Sequence, residues 1–171
     1  MNIFISYHYS EAHDYMKALS NFLYKSFNNI YIKSEKTDYR YRGYSDEGIR
    51  TIIRDYYMKD CELIIILLSK NAWKRKHIDW EISTALRDTR NNSRKGVVVI
   101  LLPEYGKFLK YKTNQTPIRI IKNVNNGYME TIKWSEISVS TIKQCINKAI
   151  INSKNILPID NDTLRRKNRN V

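Results

Sequence analysis

The stretch SKNAWKRKHIDWEIST, beginning at Ser69, sets one acid, Glu81, four residues after His77 and next to the indole of Trp80, with Arg75 and Lys76 just upstream. The better-known constellations for chemistry are missing around it. The five glycines, Gly43, Gly48, Gly96, Gly106 and Gly127, follow neither GxGxxG nor GxxxxGK[ST] spacing, which removes the ordinary dinucleotide fingerprint and the P-loop. His8, His13 and His77 fit no HExxH pattern, no serine stands in a GxSxG elbow, and Cys61 and Cys145 have no partner at zinc-site spacing. No resident metal or cofactor is therefore expected. On a helix opening near Lys76 the apolar stripe is Ile78, Ile82 and Leu86, with Glu81 over His77 and beside Ile78. That position borders a cleft without entering the core. The neighbouring cations Arg75, Lys76 and His77 would keep the acid ionised, and the plain alternative is a solvated helical glutamate.

The elements that must position this acid follow from apolar spacing. NIFISY (Asn2 to Tyr7) reads as a strand, followed by a helix with Ala12, Tyr15, Met16, Leu19 and Leu23 at intervals of three and four. NIYIK is a second short strand. The polar loop SEKTDYRYRGYSDEG precedes a second helix capped by Ser45. LIIILL and VVVILL are apolar at every position, as strands covered on both faces are, and the helix of Glu81 lies between them. TPIRII and YMETIKW read as short edge strands around the Asn125-Asn126-Gly127 turn. Ile142, Cys145, Ile146 and Ala149 mark a last helix capped by Ser138 or Ser140. Alternating strands and helices predict a doubly wound, flavodoxin-like, mostly parallel α/β sheet, with ligands at the loops after Tyr7, Lys33, Leu68 and Leu102.

At 171 residues the chain fits one domain, divided here as residues 1–157 and a basic tail, 158–171, whose Arg165, Arg166, Lys167 and Arg169 are expected to be solvated. Thirty Lys and Arg against 17 Asp and Glu give a formal charge of +13, dispersed along the chain. Dispersed charge argues for solubility and weak attraction to anions, so nucleic acid is not expected as a partner. The longest apolar runs are six residues, against the ~20 of a membrane helix. A soluble, cytoplasmic protein with reduced core cysteines is the expectation.

FISYHYSEAHD, the polar loop with Gly43, IIILLSKNAW and HIDWEI, in this order from Ile3 to Tyr105, resemble a TIR domain. IDWEI followed by a basic polar stretch and a strand ending in LLPEY is similar to the bacterial TIR-like proteins of Thoeris antiphage defence. The resemblance implies the TIR fold and an NAD glycohydrolase or cyclase. Such an enzyme splits the nicotinamide–ribose bond and makes a cyclic ADP-ribose-type signal, through which a downstream effector is reached. NAD would be the substrate, the catalytic glutamate aligns with Glu81, and the residue four before it, often Trp in the family, is His77 here. Ser6, Tyr7 and His8 would line the cleft, with His77 and Trp80 as further substrate contacts. Tyr39, Arg40, Tyr41, Arg42 and Tyr44 suit base stacking and phosphate contact, and in TIR domains the corresponding loop covers the site and mediates assembly. A homo-oligomer is compatible with this. The rival reading is a noncatalytic TIR module that recruits partners by self-association.

Overall fold

The structure, a computed structural model, describes residues 1–34, 43–90, 92–105 and 115–165. Its strands are β1 (Asn2–Tyr7), β2 (Tyr31–Lys33), β3 (Leu63–Leu68), β4 (Gly96–Leu101) and β5 (Glu130–Lys133). The helices are α1 (Tyr9–Ser26), α2 (Asp46–Ile52), α3 (Lys76–Ala85), α4 (Ile118–Asn125) and α5 (Val139–Asn155). All strand pairs are parallel, in the order β2-β1-β3-β4-β5. This is the doubly wound, flavodoxin-like sheet expected from the sequence.

β3 is central and buried at all six positions because both its faces are covered. Ile64, Ile66 and Leu68 face Ile49, Ile78, Ile82 and Ile120 of α2, α3 and α4. Leu63, Ile65 and Leu67 face Leu19 and Leu23 of α1 and Ile142 and Ile146 of α5. The chain leaves β1 toward the β2 edge and leaves β3 toward β4, so the carboxyl ends of β1 and β3 flank the crevice where such sheets bind ligands. Ser45 caps α2 by accepting from the Gly48 N–H at 3.0 Å, and Ser138 caps α5 by accepting from Thr141 N–H at 3.2 Å.

Two expectations are corrected. TPIRII is not a strand: Pro117 sets the chain into α4, which buries Arg119, Ile120 and Asn123 on one face, and Gly127 with φ +81° turns it into β5. A short apolar run does not separate helix from strand by itself; of the two segments only YMETIKW contributes a strand, at the sheet edge. Nor are residues 158–165 a solvated tail. Ile159 exchanges two 2.8 Å hydrogen bonds with the Asn123 side chain, and Leu164 is buried in the core on the α3 side. This segment covers the outer face of α3, so every residue from His77 to Ala85 is buried, where the sequence predicts a single apolar stripe. Arg166, Lys167 and Arg169 lie outside the described residues.

Candidate functional site

Ser6 stands one residue before the end of β1, on the face shared with Phe4 and turned toward α3. Its hydroxyl donates to Glu81 Oε2 at 2.5 Å, the length of a charge-assisted O–H···O⁻ bond. Both residues are buried, Glu81 with 7% of its surface exposed. Glu81 is thus more enclosed than the cleft-border position its helical spacing suggests. The reason is its direction: it points inward to β1, where Ser6 meets it, while the segment over α3 covers the opposite side of the helix.

Tyr7, the next residue, alternates to the opposite face. Its ring packs with the α1 and α5 core, near His13 and Tyr9, and its hydroxyl lies 3.4 Å from His13 Nδ1. Tyr7 reaches the α3 side through its carbonyl, which lies 3.3 Å from His77 Nε2. A carbonyl accepts only, so the His77 proton is on Nε2. Burial holds the His77 pKa down to about 4 despite that hydrogen bond, and the neighbouring His8, Arg75 and Lys76 act in the same direction. His77 is therefore neutral at pH 7. The expectation that it helps Arg75 and Lys76 keep Glu81 ionised is corrected on this point.

His8 is not an exposed loop histidine. Its carbonyl accepts the Ala12 N–H at 2.9 Å at the start of α1, and its ring is buried, with Nε2 3.1 Å from Ser10 Oγ. Its Nδ1 lies 3.2 Å from Glu11 Oε2 but is not aligned for a hydrogen bond. Glu11 in turn accepts from Ser69 Oγ at 2.6 Å, Asn71 N–H at 3.0 Å and Asn71 Nδ2 at 2.5 Å. Partial burial works against this carboxylate, yet the Ser69 and Asn71 hydrogen bonds bring its pKa down to about 2. Glu11 thereby ties the first turn of α1 to the loop after β3 across the crevice. Sequence reasoning missed this clamp. Glu11 and Asn71 are 60 residues apart, and no local pattern announces their pairing.

Trp80 points into the α2–α4 side of the core and donates its Nε1–H to the Arg165 carbonyl at 2.7 Å, while Lys76 Nζ sits 5.0 Å from its ring centroid. The structure therefore engages the indole with the covering segment. Arg75 Nε is buried, with no hydrogen-bond partner among the described residues. Tyr44 is half exposed just ahead of α2, and Tyr39, Arg40, Tyr41 and Arg42 lie outside the described residues. Cavities of about 470 and 590 Å³ open instead at the amino ends of the strands, near Asp60 and Thr89 and near Cys61 and Asp88. Neither includes Glu81. Among the described residues no cluster of His, Cys, Asp or Glu could hold a metal ion, and no helix is long and apolar enough to cross a membrane.

A buried ionic network on the outer side of α3 also escaped the sequence reading. Arg119, 1% exposed, donates Nη1 to Asp79 of α3, Nε to Asp160 at 2.5 Å and Nη2 to the Asp162 carbonyl. Asp160 also accepts from Ser83 Oγ at 2.9 Å and Arg87 Nε at 2.5 Å. Burial opposes ionisation of Asp160, but the hydrogen bonds from Arg119, Arg87 and Ser83 hold its pKa below the usual carboxylate value. Arg119 is pushed the other way: burial would lower its pKa, and Asp79 and Asp160 raise it.

A five-stranded parallel sheet in this order, flanked by helices, is the flavodoxin-like arrangement of the TIR fold. The chain belongs to the Thoeris antiphage family described as "Thoeris protein ThsB, TIR-like domain", which matches residues 4–107. No curated protein and no solved structure matches it.

Proposed function

We propose that the protein is an NAD-cleaving TIR enzyme of antiphage defence, with Glu81 as its catalytic residue. The observation that carries this reading is the Ser6–Glu81 pair beside the β1/β3 crevice. A carboxylate enclosed there, with one oxygen fixed by a hydroxyl, suits a reaction that develops positive charge on a sugar. The bond from ribose C1′ to the nicotinamide nitrogen breaks with its electron pair going to the ring, and neutral nicotinamide departs. The oxocarbenium character left on the ribose is stabilised by the ionised Glu81, which accepts hydrogen bonds from ribose hydroxyls. Capture by water, with loss of a proton, gives ADP-ribose. Capture by a nucleophile of the same molecule, a ribose hydroxyl or an adenine nitrogen, again with loss of a proton, gives a cyclic product that can act as a diffusible signal for an effector. Ser6 orients Glu81, and Arg42 and Tyr44, which precede α2 in sequence, are assigned to the phosphates and the base.

Incubation of concentrated protein with NAD, followed by chromatography, should release nicotinamide together with ADP-ribose or a cyclic isomer. Glu81→Gln keeps the shape but removes the charge, and turnover should fall about a hundredfold or more. Glu62→Gln, exposed at the opposite end of β3, should retain full activity. Undiminished cleavage by Glu81→Gln would remove the catalytic assignment. A wild type inactive even with its natural trigger would leave the noncatalytic, self-associating module as the better reading.

A further inference from the structure

The helix that carries Glu81 is held from two opposite sides, and the outer hold comes from chain beyond the family match at residues 4–107. On the inner side Ser6 grips Glu81. On the outer side Asp79 and Ser83, one helical turn apart on a common face, are tied to residues 160–165 and to Arg119. Asp79 Oδ2 accepts the Arg165 N–H at 2.9 Å, Trp80 reaches the Arg165 carbonyl, and the Arg165 guanidinium bonds the Trp73 carbonyl just before α3. Helical residues two positions apart point about 200° from each other, so these ties, at Asp79 and Ser83, act behind Glu81, just before and just after it in sequence. α3 needs them: it has ten residues, lacks a side-chain N-cap, and is too short to be stable by itself.

We propose that Asp160 and Arg119 are positioning residues for Glu81, setting the tilt and rotation of α3 so that the carboxylate stays on Ser6 and meets the ribose. The inference rests on the NAD-cleaving reading for its kinetic consequence, but the hold on α3 can be read without catalysis. Ile78, Ile82 and Ala85 already provide apolar packing against the sheet, and apolar contact is non-directional. The guanidinium is directional. Its planar fork spans Asp79 and Asp160 in one geometry, which lysine does not reproduce. The segment that carries Asp160 has Leu164 as its one fully buried apolar side chain among residues 157–165, so polar contacts determine where it sits.

The test uses the full chain carrying Asp160→Ala, with Glu136→Ala, an exposed partner of Lys133, as control. Hydrogen–deuterium exchange at 77–85 should speed up at least about tenfold in Asp160→Ala, with β3 unchanged, as expected for a sub-global opening. At a temperature where both proteins are folded, kcat for nicotinamide release should fall about tenfold or more while KM moves less than about threefold, because misplacing a catalytic group by an ångström costs turnover of that order. The control should match wild type in both. If Asp160→Ala does not fold, Ser83→Ala, which removes one α3 donor to Asp160, is read in the same way with smaller effects. Unchanged α3 exchange overturns the proposal, as does faster exchange with undiminished kcat. If wild type does not cleave NAD, the enzymatic reading fails separately, and exchange alone decides whether this segment holds α3.

Discussion

Ser6 has a narrow task that a hydroxyl performs and a methyl does not. Its donated hydrogen bond fixes Glu81 Oε2 in a place with little solvent to replace it. Hydrogen bonds to charged groups contribute about 1.5–3 kcal/mol, so Ser6→Ala should lower NAD turnover roughly ten- to a hundredfold. The loss should be smaller than that of Glu81→Gln, because the charge remains. Nicotinamide release by both variants in one preparation checks the order, and a Ser6→Ala enzyme with wild-type kcat would show that Glu81 needs no such hold. Glu81 and Ser6 were legible as individual residues from the motifs around them. Their contact was not, since 75 residues separate them and only the α3–β1 packing brings them together.

At the scale of elements, legibility followed burial on both faces. LIIILL and VVVILL announce β3 and β4 because nothing polar interrupts them. α4 was misread because Arg119 and Asn123, its buried polar residues, look like surface until Asp79, Asp160 and Ile159 are placed beside them. In sequence Gly96 belongs to no phosphate loop, yet it opens β4 against the backbone of α5. A Cβ there would stand 2.9 Å from the Ala149 carbonyl carbon and 3.0 Å from Ile150 N, both backbone atoms. Backbone gives way only if the whole helix shifts. Gly96→Ala should therefore destabilise the domain by about 1–3 kcal/mol, as overpacking does, although alanine suits a strand better than glycine. Urea unfolding measures it, and a neutral or stabilising result would mean that α5 does not press on β4 as described.

For the molecule as a whole, the charge of +13 says little about how ionisable groups are used inside it. Several buried ones are fixed in a single state, and acid should undo the fold in two separable windows. Burial lowers the His77 pKa from 6.5 to about 4, so between those values the unfolded chain takes up a proton that the folded chain refuses. Stability from this group is full above pH 6.5, declines as pH falls toward 4 and is flat below, a loss of about 3 kcal/mol at 1.36 kcal/mol per pH unit. Glu11 titrates lower. Its hydrogen bonds to Ser69 and Asn71 move it from 4.5 to about 2, so its contribution is present above 4.5 and is lost as pH falls through 2. Asp160, also depressed, adds to this lower window. Urea midpoints at constant ionic strength should therefore begin to fall near pH 6.5, before any carboxylate protonates. His77→Gln, which can still donate to the Tyr7 carbonyl, should flatten the upper window and leave the lower one in place. If the decline between pH 6.5 and 4.5 persists undiminished in His77→Gln, His77 is not a buried neutral group joining α3 to the Tyr7 carbonyl, and the upper window has another source.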